Sequence, residues 1–255
     1  MAVIVTLEQI QHLAPNVRSS YREAFQNGQA VLDQCGISET PLRVAHFMAQ
    51  VLHESGGLAI QIESLNYSAE RLPQVWRTRF EPVGPLNPAD YAHNQQRLGN
   101  EVYGGRMGNT GPNDGFTYRG RGLLQLTGKD SYREATRTLR AQNPSAPDFV
   151  ALPDAVCGGQ WCLAVAAAEW LAKGCHAFAD QDDIRKVTRA INGGLIGLNE
   201  RLEWLRLTKA VWLPAVVARA GAGPVGASRP PSTRRRRPPK ARKRTQTPKR
   251  SRKRR

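Results

Sequence analysis

Thr40-Pro41-Leu42-Arg43-Val44-Ala45-His46-Phe47-Met48-Ala49-Gln50-Val51-Leu52-His53-Glu54-Ser55-Gly56-Gly57 reads as one capped, buried helix ending at a sharp break. Thr40 offers an N-cap oxygen, and Pro41 suits the first turn because its missing N–H would be unpaired there anyway. Leu42, Ala45, Met48, Ala49 and Leu52 recur at helical spacing and form the buried stripe. Gly56-Gly57 stops the helix. His53-Glu54 resembles the start of the zinc pattern HExxH, but Gly57 occupies the second histidine position. The stretch therefore delivers a carboxyl group, Glu54, to the end of an apolar helix.

Outward from this helix the chain reads as mainly α. Residues 17–35 carry Tyr21, Ala24, Phe25, Val31 and Leu32 in helical period, with Gly36 as terminator. A capped helix is expected from Ser68, where Glu70 and Glu81 bracket Leu72, Val75, Trp76 and Phe80. Further helices are expected from Ser131 to Leu139, Trp161 to Lys173, Asp182 to Ile191, and Asn199 to about Val217, with a kink at Pro214. Cys162 to Trp170 is apolar nearly all round, which suits a central buried helix. Between 82 and 128 the chain is rich in glycine (Gly104, Gly105, Gly108, Gly111, Gly115, Gly120) and reads as a long irregular region, the natural place for a cleft.

The charge is concentrated at one end. The 255 residues hold 37 Lys and Arg against 21 Asp and Glu, a net charge of +16. Fifteen of the basic residues lie between Arg229 and Arg255, which contain no acid, so residues 1–228 are nearly neutral. The expected organisation is a domain over 1–218, a Gly/Ala/Pro linker over 219–228 and a disordered polycationic tail over 229–255. The tail is suited to an anionic cell-envelope surface. Lacking aromatics, it would bind nucleic acid only non-specifically. No apolar run approaches the roughly 18 residues of a membrane span. Met1 to Leu7 lacks a basic flank and soon meets Glu8, so it does not read as a signal peptide. Cys35, Cys157, Cys162 and Cys175 match no metal spacing and are expected as buried thiols. No metal or cofactor is expected.

Chemistry falls to two carboxyl groups. The negative end of the helix dipole and partial burial both disfavour the ionised form of Glu54, which suits an acid that protonates a leaving group. Glu63 follows nine residues later, beyond the Gly-Gly break, where an ionised base would face it across a cleft. In Gly120-Arg121-Gly122-Leu123-Leu124-Gln125-Leu126-Thr127-Gly128, an extended chain would point Gln125 and Thr127 one way and Leu124 and Leu126 the other. The amide and hydroxyl suit a sugar N-acetyl group or a held water. Asn192 in Ile191-Asn192-Gly193-Gly194 ends a helix, either as a plain cap or as a ligand-facing amide. The same segments exclude a phosphate loop, because Gln125 stands where the third glycine should be and no GK[ST] follows, and a GxSxG serine elbow, which is absent.

Taken in order, His53-Glu54-Ser55-Gly56-Gly57 with Glu63, then Leu65-Asn66-Tyr67-Ser68-Ala69-Glu70-Arg71-Leu72, GRGLLQLTG and INGG closely resemble the family 19 glycoside hydrolases, and more narrowly their phage and prophage endolysin branch. The resemblance spans about residues 15–213. It implies a lysozyme-like α domain with a short β element and long loops, and inverting hydrolysis of a β-1,4 bond between N-acetylated sugars. By motif, Glu54 matches the general acid, Glu63 the general base and Thr127 the hydroxyl that helps hold the water. Gln125, Asn192 and Tyr67 match sugar-subsite residues, and Arg201 an arginine behind the acid. Plant chitinases of the family carry an acidic residue right after NGGL, where Ile196 stands here, and have secretion signals and disulfides. The expected substrate is therefore peptidoglycan, cut by a monomeric enzyme made in the cytoplasm and acting at the cell wall or periplasm after release. A chitinase on the same scaffold is the alternative, and a non-catalytic sugar- or polyanion-binding protein the second.

Overall fold

The computed structural model describes residues 2–213. The expected linker 219–228, the basic segment 229–255 and the kink at Pro214 lie outside the described residues. Helices α1 (Leu7–Leu13), α2 (Ser19–Gln26), α3 (Gln29–Gln34) and α4 (Pro41–Glu54) lead to a loop-rich stretch with α5 (Leu72–Val75), α6 (Gln95–Tyr103) and α7 (Asp114–Thr117). Then come α8 (Lys129–Gln142), α9 (Cys162–Ala172), α10 (Cys175–Asp180), α11 (Ile184–Asn192) and α12 (Leu198–Trp212). The β content of the described residues is three isolated bridges, Ile62 to Arg121, Arg121 to Leu126 and Phe80 to Leu86.

Helix α4 forms as its sequence dictates. The Thr40 hydroxyl accepts the Arg43 N–H at 3.1 Å, and every residue from Val44 to Leu52 is buried. Burial of each large side chain contributes about 1.5–3 kcal/mol, which makes this helix the axis of the domain. It runs antiparallel to α12: Arg201 meets Gln50 and Glu54, whereas Thr208 donates to the Ala45 carbonyl at 2.9 Å.

The described residues form three apolar clusters, the third within the loop-rich region itself. One gathers α1–α4 with α9–α12, including Phe47 edge-on to Trp170. A second joins α8 and α9 to Tyr118, Leu126 and Phe149. The third holds Leu65, Leu72, Trp76, Phe80, Tyr91, Leu98 and Tyr103. Cys35, Cys157, Cys162 and Cys175 are buried free thiols. No helix among the described residues is long and apolar enough to cross a membrane.

Several expected elements are corrected. The helix over 17–35 is two, α2 and α3, broken at Asn27-Gly28. A side chain on Gly28 would meet Leu163 of α9 at 2.3 Å, so close packing on the central helix forces a glycine there. The helix expected from Ser68 shrinks to Leu72–Val75 with Pro73 in its first turn. Its apolar residues instead pack a folded loop, with Tyr67 edge-on to Trp76 and Phe80 to Tyr91. The region 82–128 is not wholly irregular, since it contains α6 and α7. The last helix stops at Trp212.

Candidate active site

Glu54 is the last residue of α4 and is 2% exposed. The Arg201 guanidinium, 1% exposed on α12, donates one arm to the Glu54 carboxylate and the other to the Gln50 amide oxygen one turn earlier. Burial lowers Arg201 to about 10, which leaves it charged at neutral pH. Its charge favours the ionised carboxylate, an influence opposite to the burial and helix-end effects expected from sequence. The neighbouring His53 packs on the start of α12. A side chain on Gly197, whose φ is +74°, would meet the His53 ring at 2.6 Å.

Beyond the Gly56-Gly57 break, both at positive φ, the chain pairs with the glycine-rich segment. The Glu63 N–H donates to the Gly120 carbonyl at 2.8 Å, and the Gly122 N–H to Gln61 at 2.8 Å. The Glu63 carboxyl accepts from the Tyr103 hydroxyl at 2.8 and 2.9 Å, and from the Gly120 N–H at 3.3 Å. Burial pushes the Glu63 carboxyl up from the ordinary carboxylate range, against the Tyr103 and Gly120 donors that pull it down. A carboxyl so poised can accept or release a proton nearer neutrality than an exposed one.

Residues 121–126 are not an extended strand. Arg121 and Leu126 exchange backbone hydrogen bonds at 3.1 and 2.8 Å around a tight turn, and Gln125 adopts φ +55°. Left-handed backbone at a glutamine is uncommon and strained, a feature that concentrates at functional sites. The turn still brings the two polar side chains together. A β-carbon on Gly120 would lie 3.0 Å from the Gln125 amide oxygen, 3.3 Å from the Thr127 hydroxyl and 3.4 Å from Glu63 Cβ. The Gln125 Nε2 donates to the Gly122 carbonyl, whereas its buried Oε1 has no partner among the described residues. The Thr127 hydroxyl donates to the Gln125 carbonyl at 2.8 Å. Glu63, Gln125 and Thr127 thus crowd closely around the backbone of Gly120.

The remaining expected residues are more dispersed. Tyr67 lies in the apolar cluster that also carries Tyr103. Asn192 ends α11 before Gly193 at φ +70°, and its Nδ2 donates to the Ile196 carbonyl at 3.5 Å. No described hydrogen bond ties it to the Glu54 pair or to the residues around Gly120. Ile196 is 41% exposed.

No known family's sequence profile matches the chain. A Haemophilus influenzae protein described as a glycosyl hydrolase family 19 domain-containing protein is 39% identical over 167 residues, covering 65% of this chain and 78% of that protein. The chain belongs to glycosyl hydrolase family 19. Its fold is similar to that of a bacterial family 19 chitinase, with TM-score 0.54 and 20% identity over 81% of this chain and 94% of that one. Chitinase C from Streptomyces griseus is similar at TM-score 0.51 and 18% identity, over 83% and 93% of the two chains. This family 19 protein is accordingly a glycosidase with the family's lysozyme-like α fold.

Sequence reasoning missed Tyr103 and Gln50. Tyr103 sits at the end of α6 inside the supposed irregular region. Asn94 as cap, Leu98 and Val102 one turn apart and Gly104 as terminator were its signal. Two outcomes follow for this family 19 hydrolase. Arg201→Ala leaves Glu54 buried beside an empty space and should cost about 3–5 kcal/mol in urea unfolding at pH 7. Tyr103→Phe removes both hydroxyl contacts to the carboxylate. The Glu63 titration, followed by carboxyl carbon NMR, should then move further up; a downward move would show that the hydroxyl does not stabilise the ionised form.

Proposed function

We propose that the protein hydrolyses the β-1,4-linked glycan strand of bacterial peptidoglycan with inversion, Glu54 acting as general acid and Glu63 as general base. The observation that carries this reading is the convergence of Glu63, Thr127 and the unpartnered Gln125 oxygen on Gly120, beyond the break that follows Glu54. Beside Gly120 the Thr127 hydroxyl and Glu63 hold a water, and Glu63 removes its proton as the water attacks the anomeric carbon. Glu54 gives its proton to the departing glycosidic oxygen. Arg201 orients the Glu54 carboxyl, and Gln125, Asn192 and Tyr67 contact the N-acetylated sugars.

Peptidoglycan is favoured over chitin by the 15 basic residues of 229–255, which suit an anionic wall or outer membrane rather than neutral chitin. In this reading the enzyme acts as a monomer at the cell wall, and the basic segment concentrates it there.

The test is digestion of purified peptidoglycan beside colloidal chitin, with products identified by mass spectrometry. Faster release from peptidoglycan supports the proposal, and release from chitin alone overturns it. Glu54→Gln should lower turnover of natural glycan by on the order of 10²–10⁴-fold, the usual worth of general acid catalysis. On an aryl glycoside whose leaving group needs no protonation, Glu54→Gln should recover most of that loss and Glu63→Gln should not. The reverse pattern would exchange the two roles. Removing residues 229–255 should leave turnover of soluble oligosaccharides unchanged and weaken binding to whole cells. Each basic residue near an anionic surface contributes roughly 1 kcal/mol, screened over about 8 Å at physiological salt. Equal cell binding by both forms at low salt would refute the role given to that segment.

A further inference from the structure

Asn109, in the loop between α6 and α7, is 1% exposed and serves two helix ends with one side chain. Its Nδ2 donates to the carbonyl of Tyr103, the last residue of α6, at 2.9 Å. Its Oδ1 accepts the N–H of Lys129, the first residue of α8, at 2.9 Å. Helix ends leave backbone groups without intrahelical partners, carbonyls at one end and N–H groups at the other. An asparagine amide carries both a donor and an acceptor, so it answers the two ends at once. Gly128, the N-cap residue of α8, has no side chain to cap its own helix.

The loop around Asn109 is held to the same place. The Asn109 N–H donates to the Arg106 carbonyl at 3.0 Å, and its carbonyl accepts from the Gly105 N–H at 2.8 Å. The Met107 carbonyl accepts the Asp130 N–H, in the first turn of α8, at 3.1 Å. A β-carbon on Gly128 would lie 2.5 Å from Met107 Cβ, so loop and helix meet at the backbone. The Asp114 carboxylate accepts from the Thr110 and Gly111 N–H groups at 3.1 and 2.8 Å and from the Lys129 ammonium at 3.1 Å. Removing the Asn109 side chain would unpair one backbone group on each helix, and a buried group left unpaired is costly.

Both tied ends lead directly to the candidate site. The Tyr103 hydroxyl donates to the Glu63 carboxyl, within 2.8 and 2.9 Å of its two oxygens. Thr127 stands two residues before Lys129, and Thr127 and Glu63 both lie against Gly120. We propose that Asn109 is a positioning residue for the hydrolysis: by joining the end of α6 to the start of α8, it holds the Tyr103 hydroxyl and the Glu63 carboxyl at a fixed distance from Thr127. The proposal rests on the reading of Glu63 as base and of Thr127 as holder of the water. In this role Asn109 contacts neither the water nor the sugar and acts through Tyr103 and Lys129.

The test compares Asn109→Ala with the unaltered full-length protein on a soluble N-acetylated oligosaccharide. A misplacement of about 1 Å can cost about 100-fold, so kcat should fall by roughly 10- to 100-fold while KM hardly changes. The Glu63 titration, followed by carboxyl carbon NMR, should move up as the hydroxyl donor drifts from the carboxylate. In a Tyr103→Phe background the same change should move that titration no further, and the two losses in kcat should be less than additive. A plain stabilising cap would lower the melting temperature in both backgrounds and leave the Glu63 titration in place. That result, or fully additive losses in the double variant, overturns the proposal. If Asn109→Ala does not fold, the unaltered protein decides. Its Asn109 Nδ2 signal should titrate with the midpoint of the Glu63 carboxyl carbon, and a signal that stays flat or follows another midpoint overturns the proposal. The two readings fail separately. Full turnover in Glu63→Gln sinks the base assignment whatever Asn109 does to the titration. Lost turnover in Glu63→Gln, with titration and kcat unmoved in Asn109→Ala, sinks only the positioning role.

Discussion

The buried contact of Arg201 with Gln50 and Glu54 is the constraint on which the rest of the arrangement depends. Withdrawing a guanidinium and a carboxylate from water is expensive, and the cost is offset only when both are held in near-ideal geometry. The geometry comes from α4 and α12 lying antiparallel over most of their length, locked at the far end by Thr208 on the Ala45 carbonyl. Glycine at 197 lets α12 begin against the His53 ring, which sets the height at which Arg201 meets α4. A hydrophobic pair at 54 and 201 would hold the helices as well, but would not present a carboxyl group where α4 ends.

The site lies where the three apolar clusters meet. Leu123 and Leu124 of the glycine-rich turn belong to the cluster around α4, Leu126 to the one around α8 and α9, and Tyr103 to the third. Each cluster therefore positions one polar group: Glu54 through α4, Thr127 through Leu126, and Glu63 through Tyr103. Contrasting electrostatics follow from this division. A cation presses on Glu54, whereas among the described residues the donors bonded to Glu63 are neutral, and burial outweighs them and the more distant Arg119 charge. The sense of this contrast is opposite to that of a raised acid and an ionised base, with the cation on Glu54 and the raised carboxyl at Glu63.

Much of this was legible in the sequence, and unevenly so. Helix α4 with its cap, its buried stripe and its glycine stop could be read directly, because all three signals are local. Helix α9 was legible for the same reason. The division of 17–35 at Gly28 was not, since its cause is Leu163, distant in sequence. Periodicity also misled at Leu72, Val75, Trp76 and Phe80, where aromatic packing in a loop mimics a helical stripe. The alternation of Gln125 and Thr127 suggested a strand, but Gly122 and the left-handed Gln125 bend the chain into a turn that brings both side chains to Gly120. Tyr103 escaped notice because the glycines around α6 mask a short helix, and its partnership with Glu63 depends wholly on tertiary structure.

The central claim is that Glu63 activates a water directly, with no covalent sugar intermediate. The configuration of the first product decides it. Proton NMR of freshly cleaved N-acetylated oligosaccharide, recorded before mutarotation, should show the α-anomer appearing first, as single displacement at a β-linked sugar requires. Initial release of the β-anomer would mean double displacement with retention, and would contradict the roles proposed for Glu63 and Thr127.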